Sequence, residues 1–312
     1  MSLNVLITGI TGFMGKFLAE KYLENDHIVY GNTFDETETP PKDHLNLHLL
    51  PCDIRKEVEV KRLVNESKPD IIFHLAAQSY PTKSWEDPIN TLETNVNGTI
   101  HLFSAIMEKN LDPKVLVACS SAEYGHTAIN ENRSLQEKDP LLPVHPYGLS
   151  KVNQDLISEQ YFKKYGIKVY RARIFNTIGP GKKDDFVGDI SKQISEIKKG
   201  GKQRVIKVGN LETKRDMTDV RDQISALIAL VENGIAGEAY NVCSGVSYQM
   251  KELLKKMITY SGMEIKYEKD LKKIRKIDEP LILGDPSKIR EKCYWNQEYS
   301  IEKTLQDAIN FW

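Results

Sequence analysis

The stretch NVLITGITGFMG, Asn4 to Gly15, sets a short apolar run directly before a glycine-rich turn. Asn4 to Thr8 has the length and composition of a buried strand. Gly9, Gly12 and Gly15 then form G-x-x-G-x-x-G, and a helical pattern through Phe13, Leu18 and Tyr22 follows. Glycines in such a turn let the chain bend tightly and let backbone N–H groups approach a pyrophosphate. The helix N-terminus adds a dipole favourable to that anion. An ordinary strand-to-helix turn can also be rich in glycine. The position between a first strand and a first helix favours the nucleotide reading, with Gly9, Gly12, Phe13, Met14 and Gly15 around the phosphates.

Moving outward, strands and helices alternate. His27–Gly31 and Leu45–Leu49 read as strands, Glu57–Asn65 as a helix and Ile71–Leu75 as a buried strand. Asn90–Lys109 is a long helical stretch, Val115–Val117 a strand, Tyr147–Lys164 a second long helix and Lys168–Ala172 a strand. Apolar strands alternating with helices predict an α/β fold, a Rossmann-type doubly wound parallel sheet with dinucleotide across its carboxyl ends. After Asn176 the segment IGPGKKDD (Ile178 to Asp185) is loop chemistry, and shorter elements follow, with helices at Asp285–Glu291 and Ile301–Phe311. The expected organisation is residues 1–176 as the main sheet domain and 177–312 as a smaller C-terminal lobe interleaved with it.

Composition excludes several classes. The formal net charge of -1 over 312 residues gives no basic field for nucleic acid or for an anionic membrane. No apolar run approaches the roughly 20 residues of a membrane span, and the chain enters a strand pattern at once, without the regions of a signal peptide. Cys52, Cys119, Cys243 and Cys293 are scattered with no CxxC spacing, so neither a zinc site nor a disulfide framework is expected. The reading is a cytoplasmic protein with reduced thiols and no metal.

The end of the second strand usually selects between a ribose hydroxyl and a 2′-phosphate. Here it runs Asn32, Thr33, Phe34, Asp35, Glu36, and the two carboxylates would repel a phosphate. That favours NAD over NADP, unless both carboxylates face solvent and a lysine such as Lys42 serves a phosphate. Tyr147 and Lys151 form Y-x-x-x-K at the start of a helix, where the i, i+4 spacing places them on one face. A lysine ammonium beside a phenol is expected to lower the phenol's pKa from about 10, and such a tyrosine can exchange a proton with a hydroxyl while hydride moves. The serine-rich strand end Cys119–Ser121 lies upstream of this pair.

The chain resembles the extended short-chain dehydrogenase/reductase family over nearly its whole length, through TGITGFMG, PCDIR, HLAAQ, SSAEYG, YGLSK and RIFNTIGPG. By that resemblance Ser120 hydrogen-bonds the reacting oxygen, Tyr147 is the acid/base, and Lys151 grips the nicotinamide ribose and tunes the tyrosine. Asp53 and Ile54 lie beside the adenine, with Asp35 at the ribose, while Leu75, Ala76 and Ala77 line the cofactor. Asn95 lies near the nicotinamide, and Ser121 and Asn176 face the substrate. Asn95 would otherwise cap or bridge within a helix, and Ala76 would be plain packing.

Members of this extended group act mostly on nucleotide sugars. The stretches Phe186–Gly200, Val208–Asp222 and Arg275–Ile289 are similar to enzymes of GDP-mannose derivatives, most of all to reductases of GDP-4-keto-6-deoxy-mannose. The resemblance implies that Lys192, Arg215 and Arg275 meet the phosphates or the nucleotide and that Asp278 meets a ribose. Arginine forks suit phosphate oxygens, and a carboxylate suits paired hydroxyls. Dehydratases of the group carry an extra acid and base at the positions of Ser121 and Ala122, and alanine transfers no proton, so dehydration is not expected. Such reductases tend to have a basic residue near Phe34 and a glutamate at Ala122. Their absence keeps open NAD-dependent 4-dehydrogenation of a GDP-hexose or GDP-heptose. Epimerisation, and a dinucleotide-sensing protein without turnover, are the remaining alternatives. The family also implies a homodimer in which Asn90–Lys109 and Tyr147–Lys164 pair across a four-helix bundle.

Overall fold

The computed structural model describes residues 2–35, 40–127, 131, 133–200, 203–274 and 278–312. The chain begins with β1 (Asn4–Thr8), α1 (Phe13–Leu23), β2 (Ile28–Thr33), β3 (Leu47–Pro51), α2 (Glu57–Ser67) and β4 (Ile71–His74). Two short helices, α3 (Pro81–Glu86) and α4 (Pro88–Leu92), lead through a π-helical turn at Glu93–Asn97 into α5 (Gly98–Glu108). Then come β5 (Lys114–Ser120), α6 (Pro146–Tyr165), β6 (Lys168–Ile174) and β7 (Asn176–Ile178). The rest comprises α7 (Phe186–Lys198), β8 (Val205–Val208), β9 (Lys214–Asp219), α8 (Val220–Asn233), β10 (Ala239–Val242), β11 (Ser247–Gln249), α9 (Met250–Ser261), β12 (Lys266–Lys269), β13 (Leu281–Ile282), α10 (Ser287–Cys293) and α11 (Ile301–Phe311).

A seven-stranded sheet in the order β10-β6-β5-β4-β1-β2-β3 is parallel at every pairing among the described residues. Its central strands β1, β4 and β5 are mainly apolar on both faces because both faces are covered. Val5 and Ile7 join Leu18, Tyr22 and Leu227 on the side of α1 and α8, whereas Leu6 points to Val64, Leu102 and Phe103 on the side of α2 and α5. This is the period-2 alternation of a strand with two hydrophobic partners. The strand order reverses between β1 and β4, which opens a crevice at their carboxyl ends.

Three boundaries differ from the sequence reading. The third strand is Leu47–Pro51 rather than Leu45–Leu49, because a turn at His44–Leu47 intervenes and leaves Leu45 exposed. The long helix expected at Asn90–Lys109 is interrupted by the π-helical turn, where Asn95 is fully buried. The helix expected at Asp285–Glu291 starts at Ser287, since Asp285 turns back to accept the Ser287 N–H at 3.0 Å.

Beyond β7 the chain builds a lobe around a second apolar core. Ile190 and Ile194 of α7 meet Leu253, Leu254 and Met257 of α9 and Leu305 of α11. A four-stranded sheet of β11, β9, β13 and β7 lies at its base. The chain also returns to the large sheet, for β10 pairs with β6 and α8 packs on α1. No helix among the described residues is long and apolar enough to cross a membrane.

Candidate active site

The crevice between β1 and β4 is shaped by glycine. Gly9 has φ of 73°, and a Cβ there would lie 2.9 Å from the Ala76 backbone; a Cβ on Gly15 would lie 2.3 Å from the Gly9 carbonyl oxygen. The loop is held by the Gly12 N–H donating to Gly9 O at 3.0 Å and by the Gly9 N–H donating to Asn32 Oδ1 at 2.7 Å. Gly12 is the N-cap of α1 and offers no side chain to its first turn. The amides of Phe13, Met14 and Gly15 are therefore placed to receive an anion. The cradle fits the pyrophosphate of a dinucleotide, and the backbone of Ala76, after β4, closes against Gly9.

Ser120, Tyr147 and Lys151 come together from β5 and α6. Ser120 ends β5 in extended conformation and caps the turn Ser121–Glu123. α6 begins with His145 as N-cap and Pro146 at its first position, so Tyr147 and Lys151 sit on its first two turns. The Ser120 side chain lies near enough to the Tyr147 phenol to favour its ionised form. Burial nevertheless pushes the Tyr147 pKa up to about 12, against the expectation that Lys151 would lower it. The reason is geometric. The Lys151 ammonium stands 5.9 Å from the Tyr147 ring centre and donates to Ala118 O at 2.7 Å and to Gln154 Oε1 at 2.8 Å. Burial brings Lys151 itself down to about 8.

Lys151 ends a polar chain that the sequence reading missed. Gln154 Nε2 donates to Thr99 Oγ1 at 2.8 Å, and Thr99 donates to Asn95 O at 2.7 Å. With its hydrogen so used, Thr99 accepts from His74 Nε2 at 3.0 Å. His74 Nδ1 then accepts from the Thr8 hydroxyl at 2.8 Å, and Thr8 Oγ1 accepts the Ala76 N–H at 3.2 Å. Burial, followed by the nearby Lys151 charge, holds His74 down at about 3, a neutral imidazole that suits this chain. The sequence carried one signal, Gln154 one turn after Lys151.

The outer positions divide. Leu75 follows β4 directly, and Ile54 is buried beside Gly98. Asp53 is gripped by Arg55, whose Nε and Nη2 donate to its oxygens at 2.8 to 3.1 Å. Burial would raise Asp53, but Arg55 outweighs it and keeps the carboxylate below its ordinary range. Arg55 also covers the Phe34 ring at 5.2 Å, bringing an arginine to the end of β2 that the linear reading did not place there. Asp35 is exposed at that strand end, and Glu36 lies outside the described residues.

Asn95 is fully buried, with its amide donating to Gln78 O and Ser150 Oγ and accepting from the Gln78 N–H, so it ties the loop after β4 to α6. Ser121 is partly exposed beside Ser120, and Asn176 on β7 donates to Asp216 O at 2.9 Å. Arg215 and Asp278, expected to meet different parts of a nucleotide, bind each other at 2.5 Å, with Asn210 on the second Asp278 oxygen. Lys192 is exposed on α7, and Arg275 lies outside the described residues.

Comparison with known proteins decides the lineage. The family profile for GDP-mannose 4,6 dehydratase matches residues 6–308. The chain belongs to this family. GDP-6-deoxy-D-mannose reductase of Pseudomonas aeruginosa is 29% identical over 318 residues, spanning 100% of this chain and 98% of the relative. GDP-6-deoxy-D-talose 4-dehydrogenase of Aggregatibacter actinomycetemcomitans is 30% identical over 288 residues, 92% of this chain and 90% of the relative. The solved structure of RMD from Pseudomonas aeruginosa complexed with NADPH is similar with a TM-score of 0.85 at 29% identity, covering 99% of this chain and 98% of that one. As a member of the GDP-mannose 4,6-dehydratase family, the chain is an NAD(P)-dependent enzyme of the extended short-chain dehydrogenase/reductase type. Within that family it has Ala122, without a titratable group, directly after Ser121.

Proposed function

We propose that this protein reduces C4 of a GDP-linked 4-keto-6-deoxy-hexose with a reduced nicotinamide cofactor. The observation that carries the reaction type is the meeting of Ser120, at the end of β5, with Tyr147 and Lys151 on the first two turns of α6, the Lys151 ammonium 5.9 Å from the Tyr147 ring centre and burial keeping the phenol protonated. A phenol that keeps its proton at neutral pH is suited to giving it to an alkoxide. The dinucleotide, when bound, supplies the hydride. Ser120 donates to the same oxygen and orients it, Tyr147 delivers the proton, and Lys151 holds the ribose. Lys192, Arg215 and Arg275 bind the nucleotide phosphates, and Asp278, presented by Arg215, binds a ribose. Ser121 and Asn176 line the sugar. The names of the relatives support a GDP-sugar.

A second reading is NAD-dependent oxidation of a C4 hydroxyl. It is favoured by Asp35 at the end of β2, by the match of Arg55 to Asp53, and by the likeness to a GDP-sugar 4-dehydrogenase. We further propose a cytoplasmic homodimer. Four buried free cysteines fit a reducing compartment. Exposed Leu149 and Leu156 lie seven residues apart on α6, and exposed Ile89 and Leu92 lie on the adjoining α4, giving an apolar face for a second copy.

The test is loss of reduced-nicotinamide absorbance on adding GDP-4-keto-6-deoxy-mannose, with NADH and NADPH run in parallel. Oxidation of either supports the reductase reading, and the faster one gives the cofactor. No oxidation with either, combined with NAD reduction by a GDP-6-deoxy-hexose, replaces it with the dehydrogenase reading.

A further inference from the structure

Beneath Ser120 lies a group of buried charges that the chemistry above does not use. Glu123, at the end of the turn after β5, and Asp155 on α6 are both fully buried. Arg173 on β6 stands between them, its Nε donating to Asp155 Oδ2 at 2.8 Å and lying 3.4 Å from Glu123 Oε2. Arg171 takes the other Asp155 oxygen. Glu123 Oε1 accepts the Ser120 N–H at 2.7 Å, while Ser120 Oγ accepts the Ala122 N–H at 3.1 Å. The result is a reciprocal capping box with the catalytic serine as its cap.

Glu123 Oε2 is different. Among the described residues it has no hydrogen-bond partner, and a carboxylate oxygen of Asp155 lies within 4.8 Å of the Glu123 carboxyl. Two fully buried carboxyl groups this close are not both ionised, because like charges at short range oppose each other in a low-dielectric site. Both Asp155 oxygens receive arginine N–H groups, so the proton sits on Glu123. Cys119 completes a trio with ligand-like spacing, its sulfur within 4.8 Å of both carboxyls. The two arginines already supply the positive charge there.

We propose that Glu123 is a neutral acid that positions Ser120, anchored to Asp155 through one oxygen and fixing the Ser120 backbone through the other. This inference rests on the reading of Ser120 as the group that orients the reacting oxygen. Neutrality has a use in that setting. An ionised carboxylate three residues from Ser120 would oppose negative charge developing on the substrate oxygen in a low-dielectric site. Electrostatics agree with the geometry. Burial first, and the Asp155 charge second, raise Glu123 well above the usual carboxylate range, whereas in Asp155 the effect of burial is overcome by Arg173 and Arg171.

The experiment compares Glu123→Gln, Glu123→Ala and Ser120→Ala in the absorbance assay above, with cofactor affinity measured separately by quenching of reduced-nicotinamide fluorescence. An amide donates to Asp155 and accepts from Ser120 as the neutral acid does, so Glu123→Gln keeps about a third or more of the wild-type kcat. Glu123→Ala lowers kcat on the order of 10²-fold, as displaced catalytic groups do, with cofactor affinity unchanged. If Glu123→Ala does not fold, Glu123→Asn takes its place, being too short to reach both partners. The proposal is overturned by a Glu123→Gln variant as slow as Glu123→Ala, by full kcat in the truncated variant, or by cofactor affinity falling with kcat. Full activity in Ser120→Ala would instead remove the underlying site reading.

Discussion

Lys151 donates a 2.8 Å hydrogen bond to Gln154, one turn further along the same helix. Gln154 is in turn fixed by Thr99, so the ammonium is oriented from inside the protein. A hydrogen bond to a charged group is worth roughly 1.5–3 kcal/mol. Replacing Gln154 by Leu removes an acceptor that stabilises the charged ammonium more than the neutral amine. The alkaline fall in kcat/KM should then begin at lower pH than in the wild type, as measured by pH–rate profiles of the two proteins. Superimposable profiles would show that Gln154 only packs.

The wild-type profile follows from the same lysine. Burial lowers Lys151 to about 8, so its positive charge is present below that pH and is lost above it. Tyr147, near 12, stays protonated across the range. In the reductive direction kcat/KM is therefore expected to be flat from neutrality to about pH 8 and to fall roughly tenfold per unit above it. Lys151→Arg, charged at all these pH values, should lose the fall even if its rate is lower.

Tyr147→Phe removes the transferred proton but keeps the ring. Turnover should drop by roughly 10²–10⁴-fold, with cofactor binding retained. Stopped-flow kinetics of nicotinamide oxidation checks this, and near-normal turnover would exclude Tyr147 as the acid.

Gly15→Ala tests the cradle. Its new Cβ would meet the Gly9 carbonyl oxygen at 2.3 Å, and backbone on both sides leaves little room to give. Cofactor affinity should weaken by about tenfold or more, equivalent to roughly 1.4 kcal/mol. Calorimetric titration with NADH and NADPH measures it.

Ala122 offers no proton-transferring group beside Ser121. The wild type should form no 4-keto-6-deoxy product from GDP-mannose with oxidised cofactor. Product seen by mass spectrometry would mean that elimination proceeds through other groups.

The main sheet was legible because β1, β4 and β5 are mainly apolar on both faces, and a run such as Ile71–His74 has few other places to go. The glycine turn and the Tyr147–Lys151 pair were legible because their spacing is local. The hydrogen bonds of Asn95 were not legible because an asparagine near a cofactor motif looks the same whether it faces the crevice or ties a loop to a helix. Arg55 was overlooked as a neighbour of β2 because strand order, not sequence distance, brings it to Phe34. Glu123 is charged by composition, yet its surroundings make it neutral, and those surroundings come from α6 and β6. Strand β10 (AYNV) was not separated from the lobe around it, since four residues with one polar member carry little pattern.

The last point bears on how the chain must fold. β10 completes the large sheet by pairing with β6, with Ala239 opposite Arg171 and Val242 opposite Ile174, after the intervening chain has passed through β7, α7, β8, β9 and α8. Until then β6 presents an open row of N–H and C=O groups, the kind of edge that recruits strands from other molecules. This pairing is distant in sequence and slow to close, so the first half of the protein emerges from synthesis with an unguarded margin. A fragment ending at Asn176 would keep every element that cradles the dinucleotide and still be prone to aggregate.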